Sequence, residues 1–137
     1  MTQQDRITWS LLSLRITVFV VMLFWTLDKF VQPEHAANVF EGFYGLGGLG
    51  STVFYIIGAL EMVIILAFVS GSWQRISYGL VLLFHAVSTV SSFRQYLDPF
   101  NNLLFFAAWP MLGACLALYL LRDLDTRWTT SLGNKRS

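Results

Sequence analysis

The sequence predicts an all-α protein: a four-helix transmembrane bundle with both termini cytoplasmic and a short amphipathic segment in its first outer loop. Three observations lead there. The chain of 137 residues is 55% hydrophobic and only 12% charged, whereas a soluble domain carries about 25% charge. The charges lie between long apolar stretches instead of alternating with them, which is the pattern of a polytopic membrane protein. The Lys and Arg residues also divide unevenly between the two sides that these stretches define. The length allows one domain, residues 1–137.

Span one runs over about residues 10–27 and contains LRITVFVVMLFWTL. No small-residue cleavage pattern follows it, so it reads as a retained helix rather than a signal peptide. The first outer loop, Asp28 to Ser51, is the longest connection. Within it Pro33 can open a helix. Phe40, Phe43 and Tyr44 share one side of that helix, and a glycine run over Gly45, Gly47, Gly48 and Gly50 ends it. Such a segment fits two placements: on the outer leaflet, or packed on the bundle.

Span two covers about 52–70, span three 76–93 and span four 103–121. Each has close to the roughly 20 residues a helix needs to cross the hydrocarbon layer. The tight turn at Gly71–Arg75 makes spans two and three antiparallel neighbours. Asp98-Pro99 marks a short outer turn, after which Asn101 or Asn102 can cap span four. Pro110 predicts a kink in span four. Gly113 and Ala117 form a small-residue face suited to another helix or a second copy, a possible homo-oligomer contact. The polar tail, 122–137, reads as an amphipathic or frayed end.

With both termini inside, the cytoplasmic side holds seven basic residues: Arg6, Arg15, Arg75, Arg122, Arg127, Lys135 and Arg136. The outer side holds two, Lys29 and Arg94. That is a positive-inside distribution, and it requires an even number of spans. The net charge of +1 gives no argument for nucleic-acid binding. The single cysteine, Cys115, excludes an intramolecular disulfide and a CxxC pair; it reads as a small packing residue.

Function is carried by the ionisable residues at depth, which are costly in a membrane. Glu61 lies near the centre of span two and His85 near the centre of span three. Counted from the tight turn, the two fall at similar depth, so contact between them is possible. Tyr78, His85, Ser88, Thr89 and Ser92 form a polar stripe along span three. The stripe fits a cleft open to the outer side, or hydroxyls that bond backbone and neighbouring helices. The Glu61/His85 pair fits a structural hydrogen bond, a site for a polar or quinone-like head group, or a proton or metal path. One His and one Glu are too few for a metal site. Arg15, Val18, Met22, Trp25 and Lys29 share a stripe of span one; Arg15 and Lys29 either snorkel to the interfaces or point inward to an acid. Asp28, Lys29, Arg94 and Asp98 are candidates for a charged outer rim.

The stretch LRITVFVVMLFWTLDKF, followed by Pro33, resembles the first span of DoxX-like proteins, in which an early Arg and a terminal Lys bracket the helix. GALEMVIILAFVSGSWQR is similar to that family's second span, with its Gly-x-x-Glu before a short turn and a basic residue. The resemblance covers about Leu14 to Leu121. It marks Arg15, Lys29 and Glu61, and leaves His85 unmatched. It implies a small bacterial inner-membrane protein that is an accessory subunit of a redox or quinone-linked system, since the family includes the small membrane subunit of a thiosulfate:quinone oxidoreductase and partners of thiol-stress systems. By this reading the chain has no independent catalytic activity, no cofactor beyond a possible quinone, and a membrane or periplasmic redox partner beside the lipid bilayer. Two other classes stay open: a carrier that binds a small molecule or lipid in a Glu61/His85 cleft, and an isomerase-type enzyme using either group as acid or base.

Overall fold

The computed structural model describes residues 1–134; Lys135 and Arg136, counted above on the inner side, lie outside them. The described residues are mostly helical, with no strand among them. Helix α1 spans Gln3–Val31, α2 Pro33–Tyr44, α3 Ser51–Val69, α4 Gln74–Ser91, α5 Phe93–Tyr96 and α6 Ala108–Leu120. Short 3₁₀ segments occupy Pro99–Asn101, Leu103–Ala107 and Arg122–Leu124.

Local chemistry sets the boundaries. Thr2 caps α1: its hydroxyl accepts from the Asp5 amide at 3.1 Å, while the Asp5 carboxylate accepts from the Thr2 amide at 3.1 Å. This reciprocal pair satisfies two of the donors a helix start leaves open. Gln32, before Pro33, breaks α1 from α2. Gly45 closes α2 with φ +69°, a left-handed turn that glycine adopts without strain.

The four long helices form a closed ring in the order α1, α3, α4, α6. Leu11, Met22, Ile65, Phe68, Val81 and Leu118 fill its centre, and Cys115 is buried among them. Three helical stretches, Gln3–Val31, Ser51–Val69 and Leu103–Leu120, are long and apolar enough to cross a membrane. The fourth, α4, is not among them because its polar residues lower its mean hydropathy; those residues point inward, with Gln74, Ser77, Tyr78, His85 and Thr89 all buried. Its outward face is apolar, with Ile76, Leu83, Val87 and Val90 exposed.

Three details settle or correct the reading of the sequence. First, of its two placements α2 takes the packed one, on α1, α3 and α4; Phe40 meets Phe54 edge-on at 5.1 Å, and the Tyr44 hydroxyl bonds Ser88 at 2.8 Å. Second, Pro110 does not kink a continuous helix. It sits in the first turn of α6, where its missing N–H removes no intrahelical bond. The Leu103–Ala107 segment before it is 3₁₀, and Asn101 and Asn102 donate to Asp98 instead of capping. Third, the tail is not frayed. It folds across the end of the bundle where α1 begins and α3 turns into α4. The Thr130 amide bonds the Ser70 carbonyl, and the Trp73 amide bonds the Leu132 carbonyl, each at 2.9 Å. The Asn134 side chain bonds the Gly71 carbonyl at 2.6 Å.

Candidate functional site: a mostly apolar pocket between α1, α4 and α6

Two buried polar clusters lie at opposite ends of one stripe of α1. The lower one centres on Arg15, 1% exposed. Its Nη1 bonds Asp125 Oδ1 at 2.6 Å, and its Nη2 donates to the Arg127 and Trp128 carbonyls at 2.7 and 3.2 Å. The Tyr78 hydroxyl donates to Asp125 Oδ2 at 2.6 Å, and the Gln74 amide donates to the Asp125 carbonyl at 2.8 Å. Asp125 itself is fully buried. The partner of Arg15 thus comes from the tail, 110 residues away in sequence. Tyr78 belongs to this cluster, and so leaves the polar stripe to which its spacing assigned it.

The upper cluster contains Glu61. Its Oε2 accepts from Lys29 Nζ at 3.0 Å and from the Thr26 hydroxyl at 3.2 Å. Lys29 also donates to the Trp25 carbonyl at 3.4 Å and lies over the Phe40 ring at 5.8 Å. The cation that offsets Glu61 is therefore Lys29, not His85. Burial of a carboxylate is costly unless a cation or donors accompany it, and α1 supplies both. Gly58, one turn before Glu61, allows this approach, since a side chain there would meet the Phe30 ring.

His85 lies lower. Its Nε2 bonds the Ala108 carbonyl at 2.9 Å, and its ring stacks on Trp25 at 6.0 Å. Trp25 and Lys29 are one turn of α1 apart, about 6 Å. Glu61 at the level of Lys29 and His85 at the level of Trp25 thus have different partners. His85 Nδ1 is buried and has no hydrogen-bond partner.

Between these groups lies a cavity of about 740 Å³. Its walls are α1, α4 and the Leu104–Ala114 stretch; α2 forms its roof, and α3 contributes only Glu61. Aromatic and aliphatic side chains dominate the lining; the polar exceptions are the Lys29–Glu61 and Asp28–His35 pairs, His85, and the hydroxyls of Thr17, Tyr44 and the α4 stripe. The hydroxyls of the α4 stripe do both things its spacing allowed. Thr89 donates to the His85 carbonyl at 2.7 Å and Ser92 to the Ser88 carbonyl at 3.1 Å, yet each also lines the cavity.

No family model, no curated protein and no solved structure matches the chain. What can be said of the site rests on its own geometry.

The outer rim does not assemble as a unit. Asp28 pairs with His35 at 2.7 Å, a residue the sequence offered no reason to single out. Lys29 is drawn inward. Arg94 lies over the Phe93 ring at 5.7 Å, and Asp98 accepts from Asn101 at 2.9 Å. Neither Arg94 nor Asp98 lines the cavity. The largest omission from the sequence reading is Asp125. Its signal was an acid in a tail otherwise rich in Thr and Arg, which without the fold is an ordinary surface carboxylate. Among the described residues no group of three or more His, Cys, Asp or Glu is placed to hold a metal ion.

Proposed function

We propose that the chain is a four-pass protein of the bacterial inner membrane, of DoxX-like type, with both termini cytoplasmic. It holds a small amphipathic ligand with a quinone-like head group and serves a membrane redox system as an accessory subunit. The observation that carries the binding role is the cavity of about 740 Å³, mostly apolar, with Lys29–Glu61, Asp28–His35, His85 and a few hydroxyls as its polar groups. Ligand sites have this make-up: mostly apolar walls, a few convergent polar groups, and about 300–1,000 Å³ of space. The fourth pass is supported by α4, whose 18 residues span about 27 Å and turn an apolar face outward. The positive-inside count supports the orientation. The redox setting rests on the DoxX-like resemblance alone.

The test is copurification. Protein extracted in mild detergent is expected to carry quinone in near-stoichiometric amount, and Lys29→Met and Glu61→Gln are each expected to lower that amount at least tenfold. Protein that comes out alone, with neither quinone nor a redox partner, sinks the redox-subunit reading. The same cavity favours a second reading, a carrier for a lipid or other small molecule, which survives that outcome. It fails if Glu61→Gln and His85→Ala leave all binding unchanged. An acid–base enzyme draws less support, because Glu61 and His85 Nε2 are already engaged by Lys29 and the Ala108 carbonyl.

A further inference from the structure

Resting on the reading of the cavity as a ligand site, we infer that its ligand is a single-chain amphiphile with a hydroxyl-bearing head group free of net negative charge, admitted sideways from the bilayer between α1 and the Leu103–Pro110 stretch.

The route follows from which walls are closed. The roof is tied down at several points. Tyr44 bonds Ser88, Phe43 stacks near Phe105 at 6.1 Å, and Phe40 sits between Lys29 and Phe54. The α4 wall is continuous helix, closed on one side by α3 and on the other by α6. The remaining side lies between Thr17, Val21 and Trp25 of α1 and Leu104, Ala107 and Pro110 opposite, all of which line the cavity. Thr17, Ala107 and Pro110 are exposed, as are Trp25 at 46% and Leu104 at 90%. Lower down, α1 and α6 pack against each other, and Leu11 and Leu118 both lie in the closed core. The side opening is thus confined to the upper half, where the 3₁₀ segment Leu103–Ala107 stands in place of regular α-helix before α6. It is bordered by apolar side chains, so hydrocarbon rather than water suits it. A chain can lie in this opening while its head rests under α2.

The head-group chemistry follows from what the site leaves unused. Lys29 is neutralised by Glu61, and Asp28 pairs with His35. Among the described lining residues each cationic group is already paired with an acid, so no excess positive charge is left to offset an anionic head beside Glu61 and Asp28. Of the three donors of the Lys29 ammonium, one goes to Glu61 and one to the Trp25 carbonyl. The third can serve a ligand oxygen. His85, 1% exposed, donates through Nε2 and so keeps an acceptor at Nδ1, the buried atom without a partner. One donor and one acceptor, about a turn apart, match a head group that carries hydroxyls, each of which can accept or donate. A monoacylglycerol has this form, and a quinol, the reduced form of a quinone, meets the same demand.

The test uses the full chain in lipid nanodiscs with Trp9, Trp73, Trp109 and Trp128 replaced by Phe, so that Trp25 alone reports from the cavity wall. The probe is a monoacylglycerol brominated along its chain. Saturable quenching, reversed by the unbrominated compound, is expected. The brominated fatty acid, ionised at pH 8, is expected to bind at least tenfold more weakly. Thr17→Phe with Ala107→Phe should slow quenching at least tenfold, with helicity and melting as controls for folding. If the filled opening changes nothing while Lys29→Met abolishes quenching, the cavity binds but the lateral route is wrong. Equal binding of the fatty acid overturns the head-group assignment. If neither substitution alters quenching, the cavity reading itself falls.

Discussion

Arg15 shows how a single side chain can fix a distant segment. A guanidinium that is 1% exposed must find acceptors, and it takes a carboxylate and two carbonyls from the tail. Removing one member of a buried pair leaves the other charge uncompensated, at a cost of about 3–5 kcal/mol, whereas replacing both with apolar groups is often close to neutral. Arg15→Met is therefore expected to destabilise the protein by about 3–5 kcal/mol, and Arg15→Met with Asp125→Leu to recover most of that loss. Unfolding titrations of the two single variants and the double would measure it; additive losses would show that the pair does not act as a unit. Gly58 carries a different constraint. Its lack of a side chain admits the Phe30 ring and brings α1 against α3, so Gly58→Val should cost about 1–3 kcal/mol through overpacking. Unchanged thermal stability in detergent would contradict this.

At the scale of elements, the helices were legible where periodicity and length speak for themselves. The apolar runs at 52–70 and 76–93 became α3 and α4 with boundaries shifted by two residues or fewer. The helix opened by Pro33 was legible for the same reason, since proline at the start and glycine at the end are local signals. The tail was not, because its order comes from groups it touches rather than from its own pattern. It is polar and short, and isolated it would have no reason to fold. Its contacts with Arg15, Ser70, Trp73 and Gly71 supply that reason. Trypsin is accordingly expected to cut slowly after Arg127 in the intact protein. Asp125→Asn removes the charge that holds the segment and should raise that rate at least tenfold. Equal rates in the two proteins would mean that the tail is not held there.

For the whole molecule, the tail, the start of α1 and the α3–α4 turn gather at one end, and α2 with the glycine-rich loop lies toward the other. Arg127 ties this lower end together: it bonds Thr8 at 3.1 Å and Asp5 at 3.3 Å, and lies over the Trp9 ring at 4.3 Å. A four-pass topology with cytoplasmic termini then makes a direct statement about sidedness. In a Cys115→Ala background, a cysteine at Glu41 should react with a membrane-impermeant maleimide added to spheroplasts, and one at Ser131 should react only after lysis. The reverse pattern, or labelling of both, would overturn the topology.

The sequence by itself determined the helical class, the places of α3 and α4 and the centres of the other two long helices, and the identity of most ionisable groups that matter. Those follow from transfer energies and helical periods, which are properties of local stretches. Only the tertiary structure decided which groups meet. Depth counting brought Glu61 and His85 to similar levels, but a helix also has a rotation about its axis and a neighbour. These give Glu61 to Lys29 and Thr26, and leave His85 to Trp25 and the Ala108 carbonyl. Arg15 was visible as a costly charge from the start, while its acid lay in the tail. Burial, which makes such a charge demand a partner, does not say where along the chain that partner is.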